Sequence, residues 1–287
     1  MKPPSLTQLF DETEVPSSQP VSPFLKWAGG KSQLLPELRR FIPHDFNRYL
    51  EPFLGGGALF FNLLPEKAFL NDSNVELINT YEMVRDQVET VIEILDAYPN
   101  ESEFFYRIRA QSPYKLTDAE RAARFIYLNR TCFNGLYRVN KKNQFNVPFG
   151  KYANPNICPI ERLRAASKAL QHGELFCEDY QSFLLREARP GDFIYADPPY
   201  QPVSRYSDFK RYTQDFFYEE DQKRLADLLT QLGKQGCYVV ASNSDCEFVR
   251  KCYADWQIHQ VKARRNINKN GSGRGSISEI IVLWELR

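Results

Sequence analysis

Apolar residues fall into strand-length runs near both ends of the chain and into helical spacing in its middle. Arg48–Phe53 (RYLEPF) predicts a strand running into Gly55-Gly56-Gly57 and then the apolar start of a helix, Ala58–Leu64. Ala68–Leu70 predicts a second brief strand that ends at Asn71-Asp72. Strand, glycine turn, helix, strand is the opening of a βαβ unit. Upstream, Phe24–Lys31 closes in a Gly-Gly turn, and Ser32–Phe41 predicts a short helix. From about Val75 to Cys158 the pattern is helical. Asn74–Tyr98 and Asp118–Asn129 repeat apolar residues at helical spacing, and a polar, Asn-rich loop spans Asn129–Pro155. Strand-like runs resume at Glu174–Cys177, Asp192–Ala196 and Cys237–Ala241, and finish with Ile258–Val261 and Ile280–Leu286. Between two of them, Tyr218–Leu232 carries Leu225, Leu228, Leu229 and Leu232 on one helical face. The order predicts an α/β domain, residues 23–74 and 159–287, interrupted by a mainly helical module over 75–158. Residues 1–22, rich in Pro and Ser and acidic, predict a mobile arm.

Composition narrows the class. The chain of 287 residues is 43% hydrophobic and 25% charged, ordinary globular usage that excludes wholesale disorder and fibrous architectures. No apolar run approaches the roughly 18 residues of a membrane span, and the N-terminus lacks the apolar core of a secretory signal. A soluble cytoplasmic protein without membrane contact is expected. Six cysteines without a C-x-x-C pair, and only three histidines, predict free thiols and no metal site.

Lys+Arg number 37 against Asp+Glu 36, a net charge of +1 that hides a sorting. From Arg121 to Ile160 there is no acid but there are seven cations, Arg121, Arg124, Arg130, Arg138, Lys141, Lys142 and Lys151. Trp256–Ser278 is a second acid-free stretch, with Lys262, Arg264, Arg265, Lys269 and Arg274. Each phosphate that a cation neutralises releases a condensed counterion, so such stretches favour a polyanion. A solvated face balanced by nearby acids is the alternative. Because both runs are rich in Asn, Gly and aromatics rather than helix-period apolars, they point toward nucleic acid.

Candidate chemistry sits at strand ends. Gly29-Gly30-Lys31-Ser32 resembles the end of a P-loop, but the motif would need glycine where Leu25 stands, so a nucleotide-hydrolase reading fails. Phe53-Leu-Gly-Gly-Gly-Ala lies between a strand and a helix, where glycines permit close backbone approach to a ligand, and Asp72 ends the next strand, where a carboxylate can accept ribose hydroxyls. Asp197-Pro198-Pro199-Tyr200 follows the strand Phe193–Ala196. Its prolines remove two N–H donors and stiffen the turn, leaving carbonyls to accept from a ligand. A carboxylate, a carbonyl and an aromatic face make a site for a planar amine.

In the order FLKWAGGK, EPFLGGGALFFN, NDSN, YLNRTCFNGLYRVNKKNQFNVPFGKY, DPPY, SNSD and VKARRNINKNG, the chain resembles the Dam-type DNA adenine-N6 methyltransferases, the α group of amino-methyltransferases, from about Phe24 to the C-terminus. The resemblance implies a Rossmann-like sheet, S-adenosylmethionine as cofactor, double-stranded DNA read at GATC, and activity as a monomer. It assigns catalysis to Asp197, Pro198, Pro199 and Tyr200, and cofactor contacts to Trp27, Gly29, Lys31, Gly55, Gly57, Asp72, Asp179 and the backbone around Asp197. Lys26 matches a reader of the first guanine and Arg138 a reader of a later one; Leu136 and Pro148 match contacts to thymine methyls, and Asn134 and Tyr152 match further DNA contacts. Phe133 stands where relatives place a tyrosine that wedges into the base stack, so the ring is kept and a hydroxyl lost. Arg130, Lys141 and Lys142 are assigned to phosphates, which position without reading. Two other classes stay open at this point: an RNA or protein amino-methyltransferase, against which the Asp heading D-P-P-Y argues, and a catalytically silent DNA-binding module.

Overall fold

Short strands, buried throughout where they lie at the centre of the sheet, run through the molecule. The computed structural model describes residues 21–27, 29–201, 217–264 and 276–284. They form one seven-stranded sheet in the order β3-β2-β1-β4-β5-β7-β6, built from β1 (Tyr49–Glu51), β2 (Ala68–Asn71), β3 (Gly173–Phe176), β4 (Phe193–Ala196), β5 (Tyr238–Ser244), β6 (Gln257–Arg264) and β7 (Ser276–Trp284). The first five are parallel; β7 runs antiparallel to both β5 and β6. β1 and β2 lie to one side and β4 to the other, so the strand order reverses between β1 and β4. In open α/β sheets that reversal opens a ligand crevice at the carboxyl strand ends.

Alternate strand residues face opposite layers. Leu50, Phe69, Ile194 and Val239 pack under α8 (Tyr180–Glu187) and α9 (Glu219–Lys234), whose Leu225, Leu228, Leu229 and Leu232 form the predicted apolar face. Tyr49, Leu70, Phe193 and Tyr195 share the other core with α2 (Ala58–Leu63) and with the helices between β2 and β3. These are α3 (Val75–Asp86), α4 (Val88–Asp96), α5 (Ser102–Ala110), α6 (Asp118–Thr131) and α7 (Ile160–Leu170). Leu77, Ile78, Tyr81, Ala122 and Ile126 are continuous with the core of the sheet. The predicted helix over 74–98 is two helices, broken at Gln87, where the backbone turns to φ −138°, ψ 41°. The Ser32–Phe41 helix is a 3-10 turn, Lys31–Gln33, followed by α1 (Leu35–Arg39). A last short helix, α10 (Glu247–Cys252), connects β5 to β6.

The Asn-rich loop has structure of its own. Antiparallel bridges Cys132–Phe149 and Val139–Phe145 close a small hairpin whose tip is the Asn140–Gln144 turn, and Val139, Phe145 and Val147 point into the core. Among the described residues, no helix is long and apolar enough to cross a membrane, and no three His, Cys, Asp or Glu side chains converge to hold a metal ion. The predicted arm, apart from its last two residues, and the basic segment 265–275 lie outside the described residues.

Candidate active site and nucleic-acid interface

Three carboxylates gather where β1, β2 and β4 end. Glu51 closes β1, Asp72 follows β2 and Asp197 follows β4. Asp72 accepts from the Gly55 N–H at 3.0 Å and from the Asn74 N–H at 3.0 Å, tying the glycine turn to the start of α3. Gly55 and Gly57 are left-handed, at φ 48° and 63°, and the Gly55 carbonyl accepts from the Tyr81 hydroxyl at 3.0 Å. The room left by Gly55 is taken by Trp27: a Cβ at Gly55 would lie 2.7 Å from the indole nitrogen. Trp27 stacks in turn on Tyr137, with ring centroids 5.7 Å apart at 20°.

Asp197 is held at both oxygens. Lys31 Nζ lies 2.9 Å from Oδ2 and 4.5 Å from the centre of the Tyr200 ring, and it also donates to the Gly29 carbonyl at 2.6 Å. Ser242 donates to Oδ1 at 2.8 Å. The Tyr200 hydroxyl donates to Glu279 at 2.9 Å, which fixes the ring, and Gln222 donates to the Pro199 carbonyl at 2.8 Å. Among the described residues, no donor occupies the Pro198 carbonyl. Burial, and then the nearby Asp197 and Asp72, hold the Glu51 carboxyl well above the usual carboxylate range, opposed by a 2.8 Å hydrogen bond from Tyr49. Burial likewise raises Asp72 against its two backbone donors.

A carboxylate beside an aromatic face suits a cationic ligand, and Lys31 demonstrates the fit: an ammonium rests between the Asp197 carboxylate and the Tyr200 ring. Of the residues assigned to S-adenosylmethionine, Trp27, Lys31, Gly55, Asp72 and Asp197 come together at the strand ends. Trp27 is half-buried in an aromatic stack that it shares with Tyr137 of the hairpin. Asp179 is exposed and caps α8, accepting from Gln181 and Ser182, while its neighbour Tyr180 packs 5.2 Å from Phe53.

The DNA-assigned residues form a second group beside the first. Lys26 lies against Gly135, where a Cβ would come within 2.6 Å of its side chain and the backbone is left-handed at φ 61°. Its ammonium sits 4.7 Å from the Tyr152 ring. Burial, then the neighbouring charge of Arg130, lowers the Lys26 pKa. Arg130 is itself buried, and among the described residues its Nε has no partner, so this phosphate candidate is not set out on a solvated face. Phe133 is exposed, and its N–H donates to the Pro148 carbonyl at 2.9 Å, bringing Phe133, Asn134 and Pro148 to one edge. Leu136 is half-buried against the core. Arg138 is held by Asn146 at 2.7 Å, and Lys142 is exposed at the hairpin tip.

Several residues of these sites had no role in the sequence. Glu51, Ser242 and Asn129 all lie within motifs of the resemblance, EPFLGGGALFFN, SNSD and YLNRTCFNG, but none was given a role there. Asn129, fully buried, accepts from the Lys26 N–H at 2.8 Å and donates to the carbonyls of Lys26 at 2.7 Å and Gly135 at 3.2 Å.

A family profile described as D12 class N6 adenine-specific DNA methyltransferase matches residues 27–267. The chain is 44% identical over 268 residues to the type II methyltransferase M1.LlaDCHI of Lactococcus lactis subsp. cremoris, covering 91% of this chain and 94% of that protein. It is 38% identical over 286 residues to the type II methyltransferase M.MjaIII of Methanocaldococcus jannaschii, covering 92% and 99%. It is 35% identical over 266 residues to the DNA adenine methylase of Escherichia coli, covering 91% and 95%.

Proposed function

The chain belongs to the D12 class of N6 adenine-specific DNA methyltransferases, and from that premise we propose that it methylates the adenine of GATC in duplex DNA with S-adenosylmethionine as donor, acting as a monomer. The observation that carries the reading is the meeting of Asp197, Tyr200 and a cation at the strand-order reversal. Bound there, the cofactor supplies an electrophilic methyl group on a sulfonium.

The protein's own groups do the rest. The exocyclic amine of adenine is a poor nucleophile because its lone pair is delocalised into the ring. Asp197 and the Pro198 carbonyl each accept one N6 hydrogen, which favours a nitrogen whose lone pair faces the methyl. Orientation and preorganised dipoles then supply the rate. The Tyr200 ring stacks on the base, and its hydroxyl stays on Glu279. A base inside an intact duplex cannot reach the pocket, so the adenine is extruded at a cost of a few kcal/mol, and Phe133 fills the gap it leaves. Residues 75–158, together with Lys26 of the N-terminal segment, read the site: Lys26 and Arg138 take guanines, arginine through its bidentate fit to O6 and N7, while Leu136 and Pro148 meet thymine methyls.

The test is to map methylated adenines in DNA from a methylation-free host expressing this protein. Methylation at GATC is expected. Methylated adenine in another sequence would overturn the specificity, and none at all, from soluble protein, would overturn the activity.

A further inference from the structure

We propose that Ser242 is a positioning residue for the reaction: its hydroxyl fixes the rotation of the Asp197 carboxylate, so that the oxygen facing the crevice meets the adenine amine. The inference rests on the function proposed above.

Ser242 lies in β5, next to β4 in the sheet, and is fully buried. Its Oγ is 2.8 Å from Asp197 Oδ1 and 3.1 Å from the Tyr195 hydroxyl. A serine has one proton to give. An ionised carboxylate only accepts, so Ser242 donates to Asp197 and Tyr195 donates to Ser242. The chain Tyr195 to Ser242 to Asp197 therefore has one direction, and it ends on Oδ1. A carboxylate that rotated freely about its last bond would exchange its two oxygens. Anchoring Oδ1 beneath leaves Oδ2 toward the crevice, where Lys31 now meets it at 2.9 Å.

The residues after Ser242 brace the same turn. Asn243 accepts from the Gln201 N–H at 3.4 Å and donates to Gln222 at 2.9 Å, and Gln222 in turn holds the Pro199 carbonyl. Ser244 donates to the Gln201 carbonyl at 2.9 Å. The S-N-S run is thus the seat of D-P-P-Y. Of its members only Ser242 touches the acceptor carboxylate, and with Gln222 on Pro199, the Pro198 carbonyl is left for the amine.

The experiment measures single-turnover methylation of a cognate duplex by wild type, Ser242→Ala and Ser242→Thr, with dissociation constants for DNA and S-adenosylmethionine and thermal midpoints alongside. Losing one hydrogen bond to a charged group predicts a methyl-transfer rate about tenfold lower in Ser242→Ala. Both dissociation constants should stay within about twofold, and Ser242→Thr, which keeps the hydroxyl, should recover most of the rate. Should Ser242→Ala fail to fold, Ser242→Cys keeps the volume with a weaker donor, and it must be slow. A wild-type rate in the variant lacking the hydroxyl, or weakened binding with an unchanged rate, overturns the inference while leaving the proposed activity standing. A wild-type protein that methylates no DNA would instead sink the activity, and this inference with it.

Discussion

Glu51 is a carboxyl group whose ionisation the fold strongly opposes. It is buried at the end of β1, with Asp72 and Asp197 raising its proton affinity further. Native Glu51 keeps its proton above the ordinary glutamate value of 4.5, so above that value the native state binds more protons than the unfolded chain. Its contribution to stability is complete below the ordinary value and is lost as pH rises through the higher native one. Glu51→Gln removes the dependence. Relative to wild type, the variant should therefore gain stability between about pH 5 and about pH 8. Urea midpoints at both pH values check it, and a difference that stays constant with pH would contradict the burial argument.

At the level of elements, α6 joins the core to the residues proposed for recognition. Thr117 and Glu120 form a reciprocal capping box at its start, and Asn129 and Arg130 stand at its other end. Thr117→Ala should cost about 1 kcal/mol in urea unfolding. Fraying stays within the first turn, so methylation site preference should not change. Loss of discrimination together with stability would mean that disorder at the first turn travels along the helix to Asn129 and Arg130, against this expectation. The ends of β1, β2 and β4 were legible in the sequence because Gly55–Gly57, Asn71-Asp72 and Asp197-Pro198-Pro199 punctuate apolar runs. α5 was not: Phe104, Phe105 and Tyr106 stand in succession and blur the helical period. In α7 the buried positions include Ala166 and Ala169, which give little hydrophobic contrast. No Gly or Pro marks the break at Gln87. The Ser242–Asp197 and Asn129–Lys26 contacts were hidden for a different reason. They span 45 and 103 residues, and they exist only because of which strands and helices become neighbours, something local pattern does not encode.

Over the whole molecule, a net charge of +1 leaves attraction to DNA to the way charge is sorted. Arg138 and Lys142 belong to the same hairpin, and the proposed function gives them different tasks. Arg138→Ala should relax the preference at one base pair, at about 1–3 kcal/mol of discrimination. Lys142→Ala should weaken binding to all sequences alike and reduce the slope of log affinity against log salt by about one. Sequencing the methylated sites made by the first variant, and salt titrations of the second, separate the two. A changed site preference in Lys142→Ala would contradict the division.

The grip of Asn129 on the Lys26 peptide has a consequence for anyone wishing to redirect this enzyme. Lys26 sits in the N-terminal segment, one residue before Trp27, yet its side chain lies under Gly135 of the hairpin. If Lys26 reads a base as proposed, a chimaera that transplants residues 75–158 from a relative with another target would leave its recipient holding a fragment of the old reading head. Such grafts should function only when the short stretch around Lys26 travels with the transplanted module.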